Sequence, residues 1–209
     1  LILSGTVLFA VFEWNNPLTM GEFSGWQKWL AALFQSVTTR TAGMATISQK
    51  GLSVPSVITS MFLMFTGGSS VGTAGGVKVT TVAVVILSVA ATVRGNSDVT
   101  CYGRRISDAI VRKSVAIIFI SFMASVLAIV AMRLLESGES VDIIFEVYSA
   151  LGTAGLSRDY TATVGIAGKI VLCICMFLGR IGPITMVIAF AMRDKKTALR
   201  LPEGKITVG

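Results

Sequence analysis

The chain has 209 residues, 53% of them hydrophobic and 14% charged, with a mean hydropathy of +0.78, a balance that excludes an ordinary soluble domain. Three cysteines and no histidine leave neither a disulfide framework nor imidazole-based catalysis or metal binding. The net charge of +7 does not point to a nucleic acid, because the basic residues lie between long apolar runs, as they do in the loops of membrane proteins.

Leu1–Phe12 is apolar but shorter than the roughly 20 residues that a spanning helix needs, and it lacks the flank and cleavage pattern of a signal peptide. It reads as the tail of a longer span. A connector with Glu13, Trp14 and Glu22 leads to a short helix over Gly25–Thr38, with Ser24 as its N-cap and Trp26 and Trp29 near its start. At 1.5 Å per residue this helix reaches only part of the way through a bilayer core of about 30 Å, so it must enter and turn back. It ends in Thr41-Ala42-Gly43. Ser53–Val93 is a span broken by Gly67, Gly68, Gly72, Gly75 and Gly76, five glycines in ten residues that also hold Ser69 and Ser70. Glycine costs a helix about 1 kcal/mol relative to alanine, so this stretch should leave the helix. No phosphate-loop pattern occurs there, and it reads as a movable intramembrane loop.

Arg94, Arg104, Arg105, Arg112 and Lys113 fill a basic linker before the clear span Ile110–Leu135. An acidic segment with Glu136, Glu139, Asp142 and Glu146 overlaps a second short helix, Val141–Leu151, capped by Ser140, with Asp142 and Glu146 complementing its positive end. That helix ends in Thr153-Ala154-Gly155. The last span, Ile166–Met192, carries Arg180 among Gly179, Gly182 and Pro183; an arginine inside a span faces a cavity or a partner, or else snorkels to the cytoplasmic interface, and the first reading is favoured here. Cys173 and Cys175 are small apolar fillers on opposite sides of this helix. By the positive-inside rule the linker and the tail from Arg193 are cytoplasmic, and the acids and tryptophans lie outside.

The two turns share one offset, since 153 − 41 and 155 − 43 both equal 112, and the flanking elements follow the same order. Each copy reads as span, short re-entrant helix, Thr-Ala-Gly turn, span. Irregular backbone at membrane depth is tolerated where it lines a pathway, and carbonyls backed by the negative ends of helix dipoles suit a cation that sheds its water. The offset also sets Arg180 opposite Gly68.

Thr38–Met44, Gly72–Thr81, Gly152–Ser157, Gly179–Thr185 and Leu201–Gly209 together resemble the Trk/Ktr/HKT superfamily of potassium transporters, in particular KtrB-type bacterial pore subunits. The resemblance implies an all-α integral membrane protein that supplies the third and fourth of four span–loop–span repeats around a K+-channel-like pore. It implies main-chain K+ ligands at Thr41, Ala42, Gly43, Thr153, Ala154 and Gly155. It further implies a gate made of the glycine loop and Arg180, and a homodimer on cytoplasmic nucleotide-binding RCK-type subunits of the KtrA/TrkA kind. The divisions expected are residues 1–93 and 110–193 for the repeats, 94–109 for the linker and 194–209 for a cytoplasmic tail in a bacterial inner membrane. The ion is K+, with Na+ as a possible companion or substitute, and no reaction is catalysed. Two other readings stay open: a Na+-coupled secondary transporter with a mid-membrane substrate site, disfavoured because only one repeat is glycine-broken, and a non-conducting assembly subunit.

Overall fold

The computed structural model describes residues 1–69, 74–96 and 98–182. Ser70, Gly72, the end of the expected Ile166–Met192 span and the basic tail lie outside the described residues. In chain order the helices are α1 (Ile2–Glu13), α2 (Gly25–Thr38), α3 (Val54–Phe65), α4 (Val79–Val93), α5 (Asp108–Leu135), α6 (Ser140–Leu151) and α7 (Ile166–Ile181). The fold is all-α as expected, with one small addition. In the linker, β1 (Thr100–Cys101) and β2 (Arg104–Arg105) form a hairpin whose turn residues Tyr102 and Gly103 have φ of 48° and 73°. Positive φ at both central turn positions matches the right-handed twist of the flanking strands, a local preference that hydropathy does not reveal.

Among the described residues α5 alone is long and apolar enough to cross a membrane by length and composition; α1, α3 and α4 are shorter apolar helices. The glycine-rich stretch separates α3 from α4 as expected. Helix α5 buries a stripe of Ser114, Ile117, Ser125, Ala128 and Met132 and exposes Phe119, Leu127 and Leu134. An exposed apolar face of this kind fits a lipid surround.

Two cores organise the bundle. One joins Phe9, Met20, Ala32 and Met64 with Phe145, Ala154 and Leu156, so the second Thr-Ala-Gly turn is packed into a core made largely by the first half of the chain. The other gathers Met132, Ile143, Val147, Leu172 and Cys175 around α6, and Cys173 is exposed.

A carboxylate ties together the helices of each half. Glu13, at the end of α1 and fully buried, accepts from the Ser53 N–H (2.9 Å) and Oγ (2.6 Å) at the N-terminus of α3, and from Asn16 Nδ2 (2.6 Å) and Thr19 Oγ1 (2.5 Å). Glu136, just past α5, accepts from the Gly165 (3.0 Å) and Gly168 (3.2 Å) N–H groups at the N-terminus of α7. Both satisfy orphan N–H donors and place negative charge at the positive end of a helix dipole. Two expected caps fare differently. Ser24 precedes α2 and donates its N–H to Gln27 Oε1 (3.0 Å), whereas Ser140 is the first helical residue of α6 and Glu139 takes the cap position.

Glu13→Ala should therefore lower the melting temperature of the detergent-solubilised full-length parent more than Glu136→Ala does. Each buried donor left unmet costs about 1–3 kcal/mol, and Glu13 serves more of them. Equal shifts in a thermal-unfolding assay would contradict this ranking.

Candidate functional site: two Thr-Ala-Gly turns and a glycine loop

Helices α2 and α6 each run into a turn with the same backbone signature. Thr41 and Gly43 have φ of 65° and 72°, and Thr153 and Gly155 have φ of 50° and 84°. A β-branched residue rarely occupies positive φ, at a cost on the order of 1–3 kcal/mol, and such strain persists only where the surroundings enforce it. Here the surroundings do so twice at matching positions. The N–H groups of the turns return to the preceding helix, from Gly43 to the Thr38 carbonyl (3.4 Å) and from Ala154 to the Ser149 carbonyl (2.9 Å). In the first half, Thr38 Oγ1 also accepts from the Met44 N–H (3.0 Å) and donates to the Met44 carbonyl.

The turns touch each other through backbone. A Cβ at Gly43 would lie 2.8 Å from the Ala154 carbonyl oxygen and 3.3 Å from Gly155 Cα. Glycine is required there both by space and by its positive φ. Ala154 is buried, while Ala42 and Gly155 are exposed on this chain.

The glycine loop packs against the second turn. Gly75 donates its N–H to Thr153 Oγ1 (3.1 Å), and a Cβ on Gly75 would meet the Thr153 side chain and the Gly179 carbonyl oxygen, the latter at 3.0 Å. The described base of the loop is hydrogen-bonded on both arms. Thr66 bridges Val77, the Val77 N–H reaches the Phe65 carbonyl (3.0 Å) and the Val79 N–H reaches the Gly68 carbonyl (3.2 Å). Gly67, Gly68, Gly75 and Gly76 thus belong to paired arms, and Ser69 is exposed. Arg180 follows Gly179 and lines a cavity of about 550 Å³ together with Thr153, Gly155, Glu146 and Thr161.

Glu146 has a role other than the one expected of it. Its carboxylate serves the strip after the turn rather than the helix end, accepting from Ser157 Oγ, the Arg158 N–H (3.2 Å) and Thr161 Oγ1 (2.7 Å). Gln35 and Gln49, not singled out by sequence, pair through their amides behind the first turn (2.8 and 3.1 Å). A buried polar residue inside an apolar helix was the available signal. Among the described residues no group of three or more His, Cys, Asp or Glu could hold a metal ion.

Residues 2–199 match the model of the TrkH family, described as cation transport protein. The chain is 35% identical over 211 residues to the Ktr system potassium uptake protein B of Bacillus subtilis, covering 100% of this chain and 47% of that protein. It is 32% identical over 215 residues to the potassium/sodium uptake protein NtpJ of Enterococcus hirae, covering 100% of this chain and 48% of that one. The chain thus spans about half the length of the curated relatives it matches. The crystal structure of the potassium transporter TrkH from Vibrio parahaemolyticus superimposes with a TM-score of 0.70 at 20% identity, over 90% of this chain and 41% of that one.

The packing at Gly43 is testable against a matched control. Gly43→Ala should destabilise the full-length parent by clearly more than Gly95→Ala, whose φ of 70° is similar but whose Cβ meets nothing within 4 Å. The control carries only the conformational strain, about 1 kcal/mol, and the difference between the two melts measures the contact with Ala154. Identical melts would mean that the turns are not in contact.

Proposed function

The chain belongs to the TrkH family of cation transport proteins, and from that premise we propose that it supplies two of four span–loop–span repeats around a K+ uptake pore. The observation that carries the reading is the paired turn geometry: two short helices deliver two strained Thr-Ala-Gly turns into mutual backbone contact, with matching φ signs 112 residues apart. Carbonyls of Thr41, Ala42, Gly43, Thr153, Ala154 and Gly155 then replace the hydration shell of a dehydrating cation. Two such turns cannot surround an ion, so the remaining ligands come from other repeats of the parent or from a second copy.

The glycine loop and Arg180 act beneath this filter as the gate. A fixed positive charge in the cavity beside Thr153 and Gly155 opposes a passing cation, and the loop base reaches the same turn through the Gly75–Thr153 hydrogen bond. Na+ is a second candidate ion, in line with the potassium/sodium name of the Enterococcus relative. A homodimer in the bacterial membrane, on a ring of nucleotide-binding RCK subunits and with its C-terminus cytoplasmic, completes the proposal and rests on family resemblance.

The full-length parent should restore growth of a K+-uptake-deficient bacterium at low external K+, and Gly43→Ser or Gly155→Ser should weaken its K+/Na+ discrimination. Unchanged discrimination in both variants removes the filter assignment. Arg180→Ala should raise maximal K+ flux with selectivity nearly intact, and its effect should not multiply with that of shortening the loop within 67–76, because both changes relieve one obstruction. Uptake velocities in the single and double variants decide this; wild-type flux in both singles places the gate elsewhere.

A further inference from the structure

The two turns approach each other at Gly43 and share an apolar core through Ala154 and Leu156, neither of which fixes direction as a hydrogen bond does, so their spacing also depends on what holds the strips that follow them. A polar side chain crosses between those strips. Arg158, in the second, donates through Nη1 to the carbonyl of Gln49 in the first (2.9 Å) and through Nε to Asp142 Oδ1 on α6 (2.7 Å). Its guanidinium also lies 6.0 Å from the centroid of the Phe145 ring. The Arg158 and Asp142 side chains are only 10% and 13% exposed, so water and salt screen the pair little.

Each end of this bridge is itself fixed. Gln49 exchanges two amide hydrogen bonds with the fully buried Gln35 of α2 and donates to the Ile47 carbonyl (3.0 Å). On the other side Glu146 of α6 accepts the Arg158 N–H (3.2 Å). A continuous path therefore runs from α2 through Gln35, Gln49, Arg158 and Asp142 to α6, joining the two helices that deliver the turns. A planar guanidinium fork spans two acceptors in fixed directions, which a lysine ammonium on a flexible stem does not.

We propose that Arg158 is a positioning residue that sets the spacing of the two Thr-Ala-Gly turns and, resting on the pore reading above, the discrimination between K+ and Na+. A buried ion pair that served folding alone would change how much transporter reaches the membrane. A pair that sets turn spacing changes which ion the surviving transporter prefers. The ratio of K+ to Na+ uptake separates the two, because it does not depend on the amount of protein.

The experiment measures this ratio for the full-length parent and its Arg158→Ala, Arg158→Lys, Asp142→Asn and Gln35→Leu variants in a K+-uptake-deficient bacterium. The expected result is a fall of roughly tenfold for Arg158→Ala and Asp142→Asn, equivalent to about 1.4 kcal/mol, with partial retention in Arg158→Lys. Gln35→Leu should shift the ratio in the same direction without touching the ion pair. Where Arg158→Ala does not reach the membrane, Arg158→Lys and Gln35→Leu carry the comparison. Wild-type ratios at reduced uptake overturn the proposal and leave the pore reading standing. A wild-type parent that takes up no K+ fails the pore reading itself and the proposal with it.

Discussion

A peptide group that leaves a helix inside an apolar bundle must find a partner, since an unmet N–H or carbonyl there costs several kcal/mol. Among the described residues this chain leaves the helix after α2, between α3 and α4, and after α6, and the candidate site is where these three breaks meet. The N–H groups of both turns fold back onto the last carbonyls of their own helices, and the loop pairs its two arms with each other. The Gly75 N–H takes the hydroxyl of Thr153. Loop and turn are thus each incomplete without the other. At Gly43 and Gly75 the absence of a side chain serves close approach, because a Cβ at either would intrude on neighbouring backbone or on Thr153.

The two halves reach similar backbone with different chemistry. Behind the first turn the supports from its own half are neutral: the Thr38 hydroxyl and the Gln35–Gln49 amide pair. Behind the second they are charged, with Glu146 holding Ser157, Arg158 and Thr161, and Asp142 holding Arg158. The distinction has an energetic consequence. Losing a neutral partner forfeits a hydrogen bond, whereas losing one member of a shielded ion pair leaves an uncompensated charge, which costs more than the intact pair contributes. The second turn is therefore the more sensitive to single substitutions nearby.

Much of the scaffold was legible because apolar run lengths and the repeated tripeptide are local signals. The short helix at Gly25–Thr38, the break after Phe65 and the span ending at Leu135 all follow from them. What escaped was whatever depends on distance in the fold. Glu13 and Glu136 play matching roles, yet they are 123 residues apart, whereas the helix starts they cap, Ser53 and Gly165, are 112 apart. The connector before the second short helix is the shorter one, and a constant offset passes over the pair. Arg158 escaped for a related reason: its acceptor is the main chain of Gln49, and a backbone carbonyl leaves no trace in residue identity. Glu146 looked like a dipole partner because it sits early in α6, but only the path of the strip after Gly155 shows which groups its carboxylate meets.

These supports also decide which element can move. Displacing the loop arm at Gly75 breaks the hydrogen bond to Thr153 Oγ1 and strains the neighbouring Val77–Phe65 and Val79–Gly68 pairs, all neutral bonds with a net contribution of about 0.5–1.5 kcal/mol each. Free energies of that size leave a minor conformation populated at a level a ligand or partner can shift. Displacing the second turn means pulling Ala154 and Leu156 out of a core shared with Phe9 and Met64, and detaching a strip held by Glu146 and Arg158. Burial of apolar side chains alone contributes about 1.5–3 kcal/mol for each large one, so that motion is far more costly. The threonines at positive φ do not reverse the ordering, because their strain is enforced by that same packing. On the proposed pore reading, turns held more firmly than the loop beside them separate choice of ion from control of flow, and a substitution at Gly75 or Thr153, which lie on the contact between them, acts on both at once.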